Sequence, residues 1–280
     1  MEDYADLHIH TSFSDGKQSL EEVIEKAQEC HLKAIAITDH DTIDAVKKAE
    51  EANSNNGLEL ISGVELSAIE NQKDIHVLGY FVDIHNGTLL KRLREFKDGR
   101  YKRAKGIVKN LNKMGVDLKF ETVLKEGQNG ALGRSHIAHA MVEDELVYTF
   151  EEAFAKYIGY DSPAYINKVE ITVKEAIDLI HQAEGVAILA HPGTLDSDDR
   201  FIEDLIGQGI EGLEVYHPDH NHSKAKRFLG LAQKNNLLVT GGSDSHGVNH
   251  KRNNIGSFTI PYDYVKKLRE YSRNKERRQQ

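Results

Sequence analysis

The sequence predicts an α/β barrel interrupted by a helical subdomain, and three observations predict it. Short apolar strands alternate with amphipathic stretches of 10 to 15 residues through most of the 280-residue chain, the rhythm of βαβ units and a parallel sheet. About seven such strands fall within ~200 residues, which suits a closed or distorted barrel better than an open sheet. The rhythm stops between residues 86 and 163, where the chain is helical in character and richer in charge. We therefore expect a barrel built from residues 1–98 and 166–280 and an inserted helical cap over 99–165.

The first strand, "DLHIH", sets His8 and His10 on one face by its period of two. "SLEEVIEKAQEC" follows as a helix. Ser19 is its N-cap, Glu22 stands in the capping-box position, and Leu20, Val23, Ile24 and Ala27 form the apolar stripe. "KAIAIT" is a near-continuous apolar strand, as when both faces are covered, and it runs into "DHDT". A helix from about Ile43 to Ser54 leads to the strand "LELISGVEL", and "DIHVLGYFV" is the next strand. Beyond the insertion, "TVKEAIDLIHQAEG" is a helix with Thr172 and Glu175 as a second capping box. Strand "VAILAHPG", helix "DRFIEDLIGQG", strand "IEGLEVYHP", helix "SKAKRFLGLAQKNN" and strand "LLVTGGSDSHG" complete the alternation. The tail "RNKERRQQ" reads as frayed.

Composition narrows the function classes. With 39% hydrophobic and 29% charged residues the chain has an ordinary soluble composition. Its net charge of −9 repels nucleic acid and phosphates as a whole, so an anionic substrate needs a local positive centre. The single cysteine, Cys30, excludes an internal disulfide framework and a Cys-rich zinc site. No apolar run approaches the ~20 residues of a membrane span, and the acidic start lacks the features of a signal peptide. A cytoplasmic protein with no membrane and no stable protein partner is expected. The segment "KRLREFKDGRYKRAKGIVK" sets nine basic residues against two acidic ones; it is either a solvated helix face or a track for an RNA backbone. Aromatics are few, tryptophan is absent and no nucleic-acid-binding module is recognisable, so a short substrate is expected rather than a long duplex.

The histidines carry most of the information. Nearly every predicted strand delivers a His, Asp or Glu at its end: His8 and His10, then Asp39, His40 and Asp41, then Glu65, His76, His191, His217, and Asp244 with His246. In barrels the C-terminal rim is where chemistry is done. So many acids and imidazoles on one rim need cations, and divalent metals take these ligands. His31, His85, His139, His181 and His250 do not follow this positional rule and read as ordinary surface or core histidines.

In "DLHIHTSFSDG", "AITDHDT", "GVELSA", "IHVLGYF", "LAHPG" and "GGSDSHG", the chain resembles the PHP (polymerase and histidinol phosphatase) superfamily, whose motifs occur in this order. The resemblance implies a distorted seven-stranded (β/α) PHP barrel that hydrolyses phosphoesters with two or three divalent ions, Mn²⁺, Fe²⁺ or Zn²⁺. It implies that His8, His10 and Asp244 hold one ion. Glu65 bridges this ion to a second on His76 and His191, and Asp15, His40 and His246 hold a third. Many relatives carry histidine where this chain has Asp15. Asp39 and Asp41 are expected to hydrogen-bond the imidazoles and fix their orientation. Two such ions can activate a water between them, with Glu65 the bridging type of ligand. His217 or a metal-held water would then protonate the leaving group.

The insertion, with "LGRSHIAHAMV" and "EEAFAKYIGYDSPAYINK", resembles the cap of the small stand-alone members of TrpH type. These include 3′,5′-nucleoside bisphosphate phosphatases and 5′→3′ exonucleases acting on short RNA. Relatives usually carry Pro where this chain has Ser135. Arg134 and His136 are expected at the substrate phosphate, with Lys168 and His217 as further candidates for phosphate contact. The competing expectations are a histidinol-phosphate-type monophosphatase and a non-catalytic, metal-stabilised module.

Overall fold

The computed structural model describes residues 3–52, 57–127, 132–167, 171–195, 197–247 and 254–279. Its strands are β1 (Tyr4–Ile9), β2 (Ala34–Ile37), β3 (Glu59–Glu70), β4 (Lys73–Tyr80), β5 (Val186–Leu189), β6 (Gly212–Tyr216), β7 (Leu238–Gly241) and β8 (Ile260–Pro261). They form one sheet in the order β7-β6-β5-β4-β3-β2-β1-β8. The sheet curls until the segment after β7 meets β1, where the His10 N–H donates to the Ser245 carbonyl at 2.9 Å. The result is a nearly closed barrel. The eighth strand, not expected from the sequence, is two residues long and pairs antiparallel with the start of β1.

Among the described residues the α-helices are α1 (Leu20–Glu29), α2 (Asp44–Ala52), α3 (Gly87–Lys113), α4 (Phe120–Glu126), α5 (Arg134–Glu143), α6 (Phe150–Ala153), α7 (Val173–Gln182), α8 (Asp199–Gly207), α9 (His222–Lys234) and α10 (Tyr262–Gln279). Both expected capping boxes form: Ser19 with Glu22 on α1, and Thr172 with Glu175 on α7. The C-terminal tail, expected to fray, is helical through Gln279 because Val265 and Leu268 bury α10 against the barrel. Among the described residues no helix is long and apolar enough to cross a membrane.

Among the seven strands β1–β7, direction departs from the expected parallel sheet at one place. β4 runs antiparallel to both β3 and β5. The cause is local: Asn71 and Gln72 have φ of 50° and 64°, the left-handed pair of a two-residue hairpin, which leaves no room for a helical crossover. The reversal brings the beginning of β4 to the rim where the parallel strands end.

Two separate apolar cores flank the boundary between barrel and cap. Leu89, Leu93 and Phe96 of α3 pack with the barrel helices. Further along α3, Ala104, Ile107, Val108 and Leu111 pack with α4 and α5 residues such as Val123, Ile137 and Met141. One 27-residue helix therefore belongs to both bodies.

Barrel closure depends on Gly242. A Cβ there would lie 2.4 Å from the His8 nitrogen and 2.6 Å from His8 Cβ, so neither neighbour can yield without moving β1. Gly242→Ala should cost about 1–3 kcal/mol, the scale of overpacking, read as a lower denaturant midpoint. Gly230, inside α9 with nothing within 4 Å of its would-be Cβ, is the control. Gly230→Ala should raise stability by about 1 kcal/mol through helix propensity.

Candidate metal centre and substrate cleft

The rim residues reach one another for local reasons. Asp6 and His8 of β1 and His10, the residue after its end, alternate on one face, each at most 1% exposed. His40 and Glu65 follow or end adjacent parallel stretches: the Asp41 N–H donates to the Glu65 carbonyl at 3.0 Å and the Glu65 N–H to the Asp39 carbonyl at 3.2 Å. His76 arrives from the reversed strand β4. His191 and Asp244 sit at φ of 27° and 49°, conformations that persist only where neighbours hold them. Glu214 accepts the His191 N–H at 2.7 Å. Asp6 accepts the Ser243 N–H at 2.9 Å and the Gly256 N–H at 2.9 Å.

Glu65, 1% exposed, is the centre. Its Oε2 lies 3.3 Å from His8 Nε2, 3.2 Å from His10 Nε2 and 3.2 Å from His40 Nδ1. Its Oε1 lies 2.9 Å from His76 Nδ1 and 3.1 Å from His191 Nε2. His8 Nε2 and His10 Nε2 are 3.1 Å apart, and Asp244 Oδ1 lies 3.4 Å and 3.1 Å from them. His8, His10 and Asp244 make a three-donor set, and Glu65 Oε2 faces its two imidazoles. The 3.1–3.4 Å separations lie near the ~3.3–3.4 Å between donors on an ion with bonds of ~2.0–2.1 Å. Across His10, Asp15 Oδ1 lies 3.3 Å from His246 Nε2 and 3.8 Å from His10 Nδ1, and its Oδ2 lies 4.0 Å from His40 Nε2. The donor sets cut across the expected grouping. His76 gathers with Glu65 and His40, His191 with Glu65 and His8, and His10 also joins Asp15, His40 and His246.

Two observations show that these residues suit divalent ions. His10 Nδ1, His40 Nδ1 and His76 Nδ1 are buried without hydrogen-bond partners, although carboxylate oxygens lie 2.9–3.8 Å away. Donor atoms this crowded that do not bond one another converge on shared points, as ligands to a cation do. The charge balance agrees. Burial opposes ionisation of Glu65, yet the charges of His40, His76 and His8 hold its carboxyl well below the usual range. Burial also opposes a charged His10, but bonds to Asp244 and Glu65 carry it up to about 10. For His40 burial dominates and pushes it down to about 3. Protons on some imidazoles thus balance the carboxylates, and a metal ion would displace them.

Some expected roles change. Asp39 touches no imidazole; it binds the Thr11 N–H and hydroxyl at 2.7 Å each and the Ser14 hydroxyl at 2.5 Å, and so folds the loop that carries Asp15. Asp41 likewise serves the backbone and the cap. It accepts the Ser67 N–H at 2.9 Å and ion-pairs with Arg100, whose Nε is 3.0 Å away. A carboxylate that does orient an imidazole is Glu214, fully buried on β6 with Oε1 2.9 Å from His8 Nδ1, a carboxylate–histidine pairing typical of metal sites. An acid inside the apolar strand "GLEVY" was the available signal. His217 is 1% exposed. Its Nδ1 accepts the Asp219 N–H at 3.1 Å and its Nε2 faces Asp244 Oδ2 at 3.3 Å.

A cleft of about 220 Å³ opens beside the candidate metal-binding residues. It joins Asp15, His40 and His76 to Arg100, Arg103 and Arg134, with Phe154, Tyr160 and Tyr165 along the cap side. Arg134 is held by a bond from Nη1 to the Ile158 carbonyl at 3.3 Å and by aromatic rings. His136, expected beside it, is instead buried, and its Nδ1 accepts the Gly133 N–H at 2.9 Å. Residues two apart on a helix point about 200° away from each other, so His136 fixes the start of α5 while Arg134 faces the cleft. Lys168 lies outside the described residues, as does His250. The basic segment of α3 splits in two: Arg100 and Arg103 line the cleft, while Lys102 and Lys105 stand exposed.

The PHP domain model matches residues 6–158. The chain belongs to the PHP family. It is 32% identical over 247 residues to the 5'-3' exoribonuclease Rnm of Escherichia coli, covering 86% of this chain and 84% of that one. It is 28% identical over 256 residues to the 3',5'-nucleoside bisphosphate phosphatase of Chromobacterium violaceum, covering 90% of each. A crystal structure described as a putative metal-dependent phosphoesterase from Bifidobacterium adolescentis superposes with a TM-score of 0.85 at 32% identity, over 94% of each chain. The protein is thus a PHP-type phosphoesterase, with the fold of metal-dependent phosphoesterases and clusters of His, Asp and Glu able to bind metal.

Glu214 tests how the centre is supported. Glu214→Gln keeps the shape but loses the charge and one of two acceptors, so metal affinity should fall about 10–100-fold. A metal titration of the variant, followed by elemental analysis, measures this. Unchanged affinity would mean that His8 is oriented by other contacts.

Proposed function

We propose that the protein hydrolyses nucleotide phosphoesters that carry a second phosphate: 3′,5′-nucleoside bisphosphates or short 5′-phosphorylated oligoribonucleotides. The observation that carries this reading is the cleft, where three arginines stand beside the metal residues. Arg100 is paired with Asp41, but a monophosphate on the rim would leave the charges of Arg103 and Arg134 unused, which speaks against a histidinol-phosphate-type substrate. A full set of nine acid and imidazole groups, Glu65 among them, fits a purely structural module poorly.

In this reading two or three divalent ions, Mn²⁺, Fe²⁺ or Zn²⁺, are held by three sets that share residues. These are His8, His10 and Asp244; Glu65 with His8 and His191 or with His40 and His76; and Asp15, His40 and His246 with His10. When bound, such ions lower the pKa of water and offset phosphoryl charge. The chain supplies the rest. Glu65 joins two of the sets through its two oxygens. Glu214 fixes the His8 ring, and His217 holds Asp244 in place, its Nε2 aimed at that carboxylate rather than at the cleft. Arg134 takes the phosphate that is not cleaved: the 3′-phosphate of a bisphosphate, or the next internucleotide phosphate of an RNA. A guanidinium offers two parallel donors for that purpose.

Two experiments test the reading. Metal-loaded protein should contain more than one equivalent of transition metal, and Glu65→Gln should lose several orders of magnitude in kcat while the fold persists by circular dichroism. One equivalent or less, or near-normal turnover, would contradict the shared centre. Arg134→Ala should lose on the order of 2–4 kcal/mol of transition-state stabilisation on 3′-phosphoadenosine 5′-phosphate, the scale for truncating a partly buried charge pair. On p-nitrophenyl phosphate, which has one phosphate, the loss should be far smaller. Equal losses would place Arg134 at the reacting phosphate.

A further inference from the structure

The cleft has an aromatic wall that phosphate binding does not use. Phe154, Tyr160 and Tyr165 line it together with Arg134. Local structure holds the two tyrosines in place. The chain makes a π-turn over Phe154–Ile158, a wide turn frequent at functional sites. It ends at Gly159, where a Cβ would lie 2.7 Å from the Phe154 carbonyl oxygen, so only glycine passes. The Ser162 N–H then donates to the Gly159 carbonyl at 3.1 Å and the Tyr165 N–H to the Ser162 carbonyl at 2.9 Å. The Ser162 hydroxyl bonds the Tyr157 carbonyl. A compact, internally bonded turn thus carries both rings.

The rings are supported but not covered. Tyr160 and Tyr165 lie 5.1 Å apart between centroids, tilted by 45°. The Arg134 guanidinium sits 4.4 Å from the Tyr160 centroid and 5.4 Å from that of Tyr165. Tyr160 nevertheless stays 56% exposed. Of the large exposed apolar side chains among the described residues, it is the one that lines this cleft. An open aromatic ring fixed beside a cation and a phosphoester centre is the arrangement that captures a flat π-system.

We propose that Tyr160, backed by Arg134 and Tyr165, is a stacking platform for the nucleobase. The substrate is then a nucleoside phosphate, selected by its base as well as by its phosphates, rather than a sugar or amino-alcohol phosphate. The inference rests on the two-phosphate reading above and extends it. Arg134 unites the two contacts: a guanidinium packs on a ring through its face and donates to a phosphate through its edge. Base and second phosphate are therefore gauged from one side chain, at a set distance from the metal residues.

The test compares 3′-phosphoadenosine 5′-phosphate with its abasic counterpart, 1-deoxyribose 3,5-bisphosphate, in the metal-loaded full chain. The wild type should favour the base-bearing compound about 10- to 100-fold in kcat/KM, the range that one stacked base supports. Tyr160→Leu should abolish that preference, mainly through KM, and Tyr160→Trp should keep it. Leucine retains apolar packing beneath Arg134. If Tyr160 serves only to hold Arg134, both substrates therefore lose turnover together and the preference survives, which overturns the platform. Equal turnover of the two compounds by the wild type overturns it as well, while leaving the two-phosphate reading intact. Turnover of neither compound would remove that reading and the platform with it.

Discussion

One buried carboxylate facing five imidazoles governs this structure. Glu65 has His8, His10 and His40 around one oxygen and His76 and His191 around the other, all within 3.3 Å. Such a cluster in a nearly dry environment is costly unless its charges are balanced and its rings held still. Much of the surrounding architecture meets that demand. Glu214 pins His8 and the backbone of His191; Asp6 pins the turn that presents Asp244; Asp39 folds the loop that presents Asp15. Buried acids here serve mainly to position other groups.

The same demand accounts for the irregular barrel. Five imidazoles can approach one carboxylate only from several strands converging on one rim. β1 and the residue after its end supply two by alternation, and the segments following β2 and β5 supply one each. The fifth, His76, lies in the first half of β4. In a parallel strand that position would fall away from the rim. The left-handed Asn71–Gln72 turn reverses β4 and so delivers His76 to the right place. Closure adds a further condition: β7 must come close enough to β1 for Ser245 to accept the His10 N–H, and Gly242 permits that approach.

What could be read from the sequence divides along a physical line. Strand–helix alternation, both capping boxes and the rim histidines were legible because each is a local pattern: apolar periodicity, an N-cap with its partner three residues on, a polar residue where an apolar run ends. The antiparallel β4 was missed because a hairpin of Asn and Gln lacks the glycine that usually signals a left-handed turn. Glu214 was missed because its partner His8 is 206 residues away, and no local pattern distinguishes a buried acid with a distant partner from an exposed one. Asp39 and Asp41 were noticed for their place beside His40, but adjacency along a chain does not say which way a side chain points. His136 shows the same limit on a helix. The three-arginine cleft lay beyond sequence reasoning for a related reason: Arg100 and Arg103 look like any residues of a basic helix until the cap core turns that face inward.

The two cores also separate chemistry from selectivity. The cap is packed by its own apolar residues, and the bond and ring contacts of Arg134 come from cap groups, Ile158, Phe154, Tyr160 and Tyr165, while the Asp74 carboxylate of β4 attracts its charge from the barrel side. Changes there can alter what is bound without disturbing the ion-binding side chains. Arg100 differs. It extends from α3, where that helix passes from one core to the other, and pairs with Asp41, which follows His40 directly and accepts the Ser67 N–H opposite His76. A guanidinium that faces the cleft is thereby tied to the backbone carrying two of the imidazoles around Glu65. Selectivity can diverge freely at Arg134, whereas at Arg100 it is coupled to the geometry of the metal rim. That asymmetry follows from where α3 crosses between the cores, and it places the adaptable part of the site on the cap side of the cleft.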